Sequence, residues 1–217
     1  MRYFGKTGMK IKRVGFGGIP IQRISQEDTN KVIDELEKCG VNFIDTARGY
    51  TVSEEYLGNA LKGRREKFYI ATKSMSRDYE SMKRDIEISL KNLQTDYIDL
   101  YQMHNVKPAE YDTLFGEDKA YRALLEAKEQ GKIKHIGITS HGLETVEKAV
   151  ESDKFETIQF PYNIVENQAD EVFKRAYEKG VGTIVMKPLA GGAIDDGTLA
   201  MKYLLSREYI DVAIPGM

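Results

Sequence analysis

Two rhythms of apolar and polar positions alternate along this chain. Short, β-rich apolar runs begin near Val14, Asn42, Phe68, Tyr97, Ile133, Thr157, Gly182 and Asp211, at intervals of 24 to 36 residues. Such an interval holds one strand, one helix and two loops. The segments between them carry the three- and four-residue period of helices with one buried face. Val32, Ile33, Leu36 and Cys39 form such a stripe, as do Met82, Ile86, Leu90 and Leu93. Ala120, Leu124, Ala127 and Lys128 run up to a stop at Gly131, and Val172, Phe173, Ala176 and Tyr177 to one at Gly180. Glycine is the expected terminator there, because it enters the left-handed conformation without a Cβ clash.

Eight strand–helix repeats predict a parallel sheet of the α/β class. The sheet could stay open and doubly wound, or close into a (β/α)8 TIM barrel. Even spacing and the count of eight favour the barrel. Ahead of the first barrel strand, Arg2 to Lys12 carries the turn Lys6-Thr7-Gly8 between two short extended runs. This predicts a β-hairpin capping the N-terminal end of the barrel. No Pro- or Ser-rich linker interrupts residues 1–217, so one domain is expected. The sequence stops at Val212-Ala213-Ile214-Pro215-Gly216-Met217, directly after the eighth strand. The final helix and C-terminal loop are therefore lacking from the pattern, and the chain reads as a C-terminally truncated version of something longer. The outer face of that eighth strand is expected to expose apolar surface.

Composition narrows the function classes. The 34 Asp+Glu nearly balance the 32 Lys+Arg, which leaves no broad basic surface for nucleic acid. Runs such as Thr183-Ile184-Val185-Met186 are too short to span a membrane. No signal-type stretch opens the chain, so a soluble, cytoplasmic protein is expected. A single cysteine, Cys39, excludes an internal disulfide or a multi-cysteine metal site and reads as a small buried hydrophobe. His135 and His141 have no evident third ligand, so no metal is expected. Asp195-Asp196-Gly197 reads as the start of the next helix.

Barrels of this kind gather their chemistry at the C-terminal ends of the strands. Asp45 closes Asn42-Phe43-Ile44-Asp45, Lys73 closes Phe68-Tyr69-Ile70-Ala71-Thr72-Lys73, and His104 follows Asp99-Leu100-Tyr101-Gln102-Met103. Neighbouring strands lie roughly 4.8 Å apart, so an acid, an amine and an imidazole can stand side by side. Tyr50 sits on the loop after Asp45. Each residue alone has a plain structural reading, as a cap, a packed ring, a solvated cation or a core histidine; the combination carries the signal. Lys73 is expected to lower the pKa of the Tyr50 phenol. Asp45 would hold Lys73 charged, and His104 would hydrogen-bond a substrate oxygen. That set suits hydride delivery to a carbonyl carbon and proton delivery to its oxygen.

These residues lie in motifs that closely resemble the aldo-keto reductase family. The motifs run in order: Asp45-Thr46-Ala47-Arg48-Gly49-Tyr50, Ser53-Glu54-Glu55-Tyr56-Leu57-Gly58-Asn59-Ala60-Leu61, Ile70-Ala71-Thr72-Lys73 and Asp99-Leu100-Tyr101-Gln102-Met103-His104. Gly131-Lys132-Ile133-Lys134-His135-Ile136-Gly137-Ile138-Thr139-Ser140 and Ile214-Pro215-Gly216 complete them. The resemblance implies a reductase using NADPH, with NADH possible, and a small-molecule carbonyl substrate. Its catalytic tetrad would be Asp45, Tyr50, Lys73 and His104, with Tyr50 as general acid.

The resemblance also implies cofactor contacts. Gly17 and Gly18 would bring backbone close to cofactor and substrate. Ser140, His141 and Gln159 would bind the nicotinamide carboxamide, although His141 stands where the family usually has Asn. Met186 replaces a ring-stacking Tyr. Leu189, Gly191 and Gly192 match the loop over the pyrophosphate. The Ser-His pair and Met186-Lys187-Pro188-Leu189-Ala190-Gly191-Gly192 resemble a branch whose longer members append an iron–sulfur tail, which this sequence does not contain. A nicotinamide-binding regulatory or scaffold barrel, or a truncated form with little activity, are the alternatives.

Overall fold

A computed structural model describes residues 1–216. Strands β1 (Arg2–Tyr3) and β2 (Lys10–Ile11) pair antiparallel as the expected hairpin. Eight parallel strands follow: β3 (Phe16–Gly17), β4 (Phe43–Asp45), β5 (Tyr69–Ser74), β6 (Ile98–Met103), β7 (Ile133–Thr139), β8 (Thr157–Pro161), β9 (Gly182–Met186) and β10 (Val212–Ala213). They lie in sequence order in one sheet. Val14 bridges Ala213 in parallel, Gly15 N–H donates to Ala213 O at 2.9 Å, and Gly17 N–H donates to Pro215 O at 2.9 Å. These bonds join the first barrel strand to the last, so the sheet is the barrel of even strand spacing rather than the open alternative.

Helices α1 (Gln26–Lys38), α2 (Ser53–Ala60), α3 (Tyr79–Leu93), α4 (Ala120–Glu129), α5 (Leu143–Glu151), α6 (Asp170–Lys179) and α7 (Gly197–Leu205) each follow one strand. The stops are where the glycines predict them: Gly131 and Gly180 have φ of 73° and 72°. Asp196 caps α7, its carboxylate accepting the Leu199 N–H at 2.9 Å. Among the described residues no helix is long and apolar enough to cross a membrane.

The hairpin closes the bottom of the barrel. Phe4, Met9 and Ile11 are buried there with Phe43, Ala71, Leu100, Ile184 and Val212. The Phe4 and Phe43 rings meet edge to face at 5.6 Å. The two-residue period of the strands then decides the top. Residues two beyond Phe43, Ala71 and Leu100 point into the same interior, and these are Asp45, Lys73 and Gln102. An apolar floor thus carries a polar upper layer.

Three expectations do not hold. The outer face of β10 exposes no apolar surface: Val212 and Ile214 point inward, and the outward residue is only Ala213, fully buried in the same cluster as Leu204 and Ile210. Arg13 draws the turn after α7 against this strand by donating to the carbonyls of Leu205, Arg207 and Ile210 at 2.5, 2.6 and 3.0 Å. Cys39 is exposed, because α1 ends beside it and the chain turns away at Gly40 (φ 68°) before anything packs over the thiol. Tyr177 is also largely exposed; α6 buries Val172, Phe173 and Ala176, while the Tyr177 ring lies under the Arg2 guanidinium at 5.5 Å.

Candidate active site

A cleft of about 490 Å³ opens at the C-terminal ends of the barrel strands. Strand register sets its walls, since Gly17 pairs with Asp45, Lys73 with Gln102, Thr139 with Gln159, and Pro161 with Met186. Asp45, Tyr50, Lys73 and His104 all line it. So do Gly17, His141, Gln159, Met186, Leu189, Gly191 and Gly192.

Two of the expected residues stand behind the wall. The Ser140 hydroxyl donates to Val106 O at 2.6 Å and accepts the Gly142 N–H at 2.9 Å, which commits its proton to the loop. Gly18 donates its N–H to Asp45 O at 2.7 Å, and a Cβ there would stand only 2.8 Å from that oxygen. Its place is close packing of β3's end on β4.

Lys73 is almost wholly buried. Its Nζ donates to Asp45 Oδ2 at 2.6 Å and to Thr46 O at 2.8 Å. The Tyr50 ring centroid lies 4.9 Å from that ammonium, and the His104 ring meets Tyr50 edge on at 6.0 Å. Burial holds the Asp45 carboxyl above its ordinary value, and the Lys73 charge and hydrogen bond pull it back only in part. Tyr50 departs from the sequence expectation. Burial raises its phenol above the ordinary value, and the Lys73 charge offsets this only in part. A phenol that has lost most of its water cannot ionise easily even beside one ammonium, so Tyr50 stays protonated at neutral pH. His104 is driven down to about 3, first by burial and then by Lys73, Arg77 and His141. Its imidazole is therefore neutral at physiological pH, able to offer or accept a hydrogen bond but not to carry a charge. Its buried Nδ1 has no hydrogen-bond partner. An unpaired lone pair is cheaper than an unpaired N–H, which favours the tautomer with the proton on Nε2.

Other polar residues support this group. Gln102 Nε2 donates to Asp45 Oδ1 at 3.3 Å and to Gln159 Oε1 at 3.0 Å, linking two residues of the cleft wall. A polar residue two positions past Leu100 on a barrel strand was the signal for it. Glu54 is only 1% exposed. It accepts from Thr72 at 2.7 Å, Asn92 at 3.3 Å and Arg48 at 3.2 Å. Thr72 precedes Lys73 and Arg48 lies two residues before Tyr50, so this carboxylate ties the Tyr50 loop to the Lys73 strand. His135 stands apart from the cleft, its Nδ1 at 2.6 Å from Glu156.

The sequence profile of the Aldo/keto reductase family matches residues 13–209. The chain belongs to that family. L-galactose dehydrogenase of Arabidopsis thaliana is 29% identical over 216 residues, covering 90% of this chain and 67% of the relative. Aldo-keto reductase YhdN of Bacillus subtilis is 30% identical over 213 residues, covering 87% of this chain and 61% of its own length. The NADH-specific methylglyoxal reductase of Escherichia coli is 27% identical over 231 residues, with 92% and 70% covered. The chain thus spans about two-thirds of the length of these curated relatives. Among solved structures, a putative aldo-keto reductase from Pseudomonas aeruginosa superposes with a TM-score of 0.89 at 26% identity, over 100% of this chain and 88% of that one. This aldo-keto reductase is accordingly an oxidoreductase built on a (β/α)8 barrel.

Proposed function

We propose that this aldo-keto reductase reduces aldehydes or ketones to alcohols with a reduced nicotinamide cofactor, NADPH foremost and NADH second. One observation carries the reading: Asp45, Tyr50, Lys73 and His104, from successive strand ends, face a single cleft. The cleft also fits the cofactor's chemistry. Gln159 Oε1 is engaged by Gln102 and one N–H faces Asp45, which leaves an amide N–H for a carboxamide oxygen. His141 offers a neutral imidazole, since burial and Lys187 lower its pKa. The partly buried Met186 thioether suits packing on a ring face. Leu189, Gly191, Gly192 and the Lys187 ammonium suit the phosphates.

When bound, the reduced nicotinamide supplies the hydride. The chain's own residues do the rest. His104, neutral and carrying its proton on Nε2, orients the carbonyl oxygen by a hydrogen bond. Tyr50 gives its phenolic proton to that oxygen as negative charge develops there. The Lys73 ammonium stabilises the phenolate that results, and Asp45 keeps the ammonium in place. Gln102 fixes the second carboxylate oxygen of Asp45. The near-even charge balance and the lone cysteine support a cytoplasmic enzyme acting on small molecules.

Binding is the first test. The chain has 13 tyrosines and no tryptophan, so energy transfer from tyrosine to reduced nicotinamide reports cofactor capture. Saturable transfer, tighter with NADPH than NADH, is expected. No transfer by a chain that melts cooperatively would contradict the reading.

A further inference from the structure

The cleft carries unbalanced charge at its mouth. Its lining includes the cations Arg23, Lys73 and Lys187 against one carboxylate, Asp45. Lys73 and Asp45 neutralise each other at 2.6 Å. Arg23 and Lys187 are both exposed, and among the described residues neither side chain has an ion pair or a hydrogen bond. The whole chain is slightly acidic, with a formal net charge of -2. A mouth of one sign on a body of the other draws anions inward.

The two cations serve different parts of the cleft. Lys187 follows β9, on the side of Gln159, Met186 and Leu189, where the cofactor is proposed to lie. Arg23 ends the turn Ile19–Arg23 that follows β3. This turn adjoins the Tyr50 loop, where Thr51 Oγ1 donates to Gln22 Oε1 at 3.4 Å. On its other flank Pro20 lies against Gly216. Arg23 therefore stands on the proton-donor side. Beside it Ile19 and Pro20 also line the cleft, and Ile19 is 48% exposed. An apolar ledge ending in a guanidinium unpaired among the described residues suits a ligand with a carbon body and an anionic end.

We infer that Arg23 is a specificity residue for the proposed reduction and selects aldehydes or ketones that carry a carboxylate or phosphate group. The inference rests on the carbonyl-reductase reading of the same cleft. The planar guanidinium fork matches two oxygens of either anion, whereas the compact Lys187 ammonium suits a phosphate as a point charge. An exposed arginine elsewhere on the surface would be a solvated charge. Here it borders the opening through which a substrate must reach Tyr50, and no carboxylate of the lining is free to pair with it.

The test compares matched substrates under saturating NADPH: benzaldehyde with para-carboxybenzaldehyde, and glyceraldehyde with glyceraldehyde phosphate. The charged member of at least one pair is expected to have a kcat/KM about tenfold higher, the size of one charged hydrogen bond. The two pairs distinguish carboxylate from phosphate. Arg23→Gln should erase that ratio through KM for the charged member, and Arg23→Lys should restore part of it. Lys187→Gln should instead weaken NADPH binding and leave the ratio in place. Equal kcat/KM within both pairs, or a preference that follows Lys187 and not Arg23, would overturn the inference while leaving the reductase reading intact. Turnover of none of the four compounds would overturn both.

Discussion

Tyr50→Phe is expected to lower carbonyl turnover by about 10²–10⁴-fold, the usual contribution of a positioned general acid. The variant loses one oxygen. It keeps a ring that can meet His104 edge on and lie beside the Lys73 ammonium. Burial holds the wild-type phenol protonated, so the substitution deletes the proposed proton donor and removes no charge. Cofactor capture and the thermal midpoint should stay close to wild type. The loss should fall on kcat and kcat/KM together, because the interaction forms as charge develops on the carbonyl oxygen. A Tyr50→Phe enzyme turning over near the wild-type rate would remove Tyr50 from the mechanism.

The second large effect is on stability. Lys73→Met leaves the buried Asp45 carboxyl with Gln102 but no cation, and breaking such a pair typically costs about 3–5 kcal/mol. The double variant Asp45→Asn/Lys73→Met should regain much of that loss in urea denaturation, because it removes the stranded charge, while turnover stays absent. The two variants should also differ in pH dependence. Burial already raises the folded-state pKa of Asp45 above its unfolded value, and losing Lys73 raises it further. The protonated form is then the one compatible with folding, so the single variant is most stable in acid. It loses stability as the pH rises through the raised pKa. The double variant has no carboxyl at that position and should lack this slope. Equal stability of the two variants at neutral pH would show that Asp45 does not depend on Lys73.

Much of the barrel was legible because its signals are local. Strand runs, the glycine stops at Gly131 and Gly180, and the Lys6-Thr7-Gly8 turn each follow from a few neighbouring residues. What depended on distant packing was not legible. Cys39 and Tyr177 lie close to the apolar faces of their helices, yet the chain turns away from one, and α6 buries its neighbours instead of the other. The outer face of β10 is covered because Arg13, far away in sequence, gathers the turn after α7.

The same division runs through the site. Motif order pointed to Asp45, Tyr50, Lys73 and His104, and strand alternation explains why Asp45 and Lys73 point inward. Sequence could not weigh two opposing effects on the Tyr50 phenol, because burial is a property of the folded loop. Ser140 and Gly18 stand at the right positions along the chain but spend their polar groups on Val106 and Asp45. Gln102, Glu54 and Arg23 reach the site, or brace it, only through pairings that the fold creates.

The most direct measurement follows the hydride itself. The enzyme is given nicotinamide cofactor deuterated at the transferable position, together with a carbonyl substrate it consumes, and the alcohol is analysed by mass spectrometry and NMR. Deuterium on the former carbonyl carbon, in step with oxidation of the nicotinamide and lost with Tyr50→Phe, is the predicted result. Cofactor that binds but transfers no deuterium to any aldehyde or ketone would contradict the reductase assignment and leave a nicotinamide-binding barrel without this chemistry.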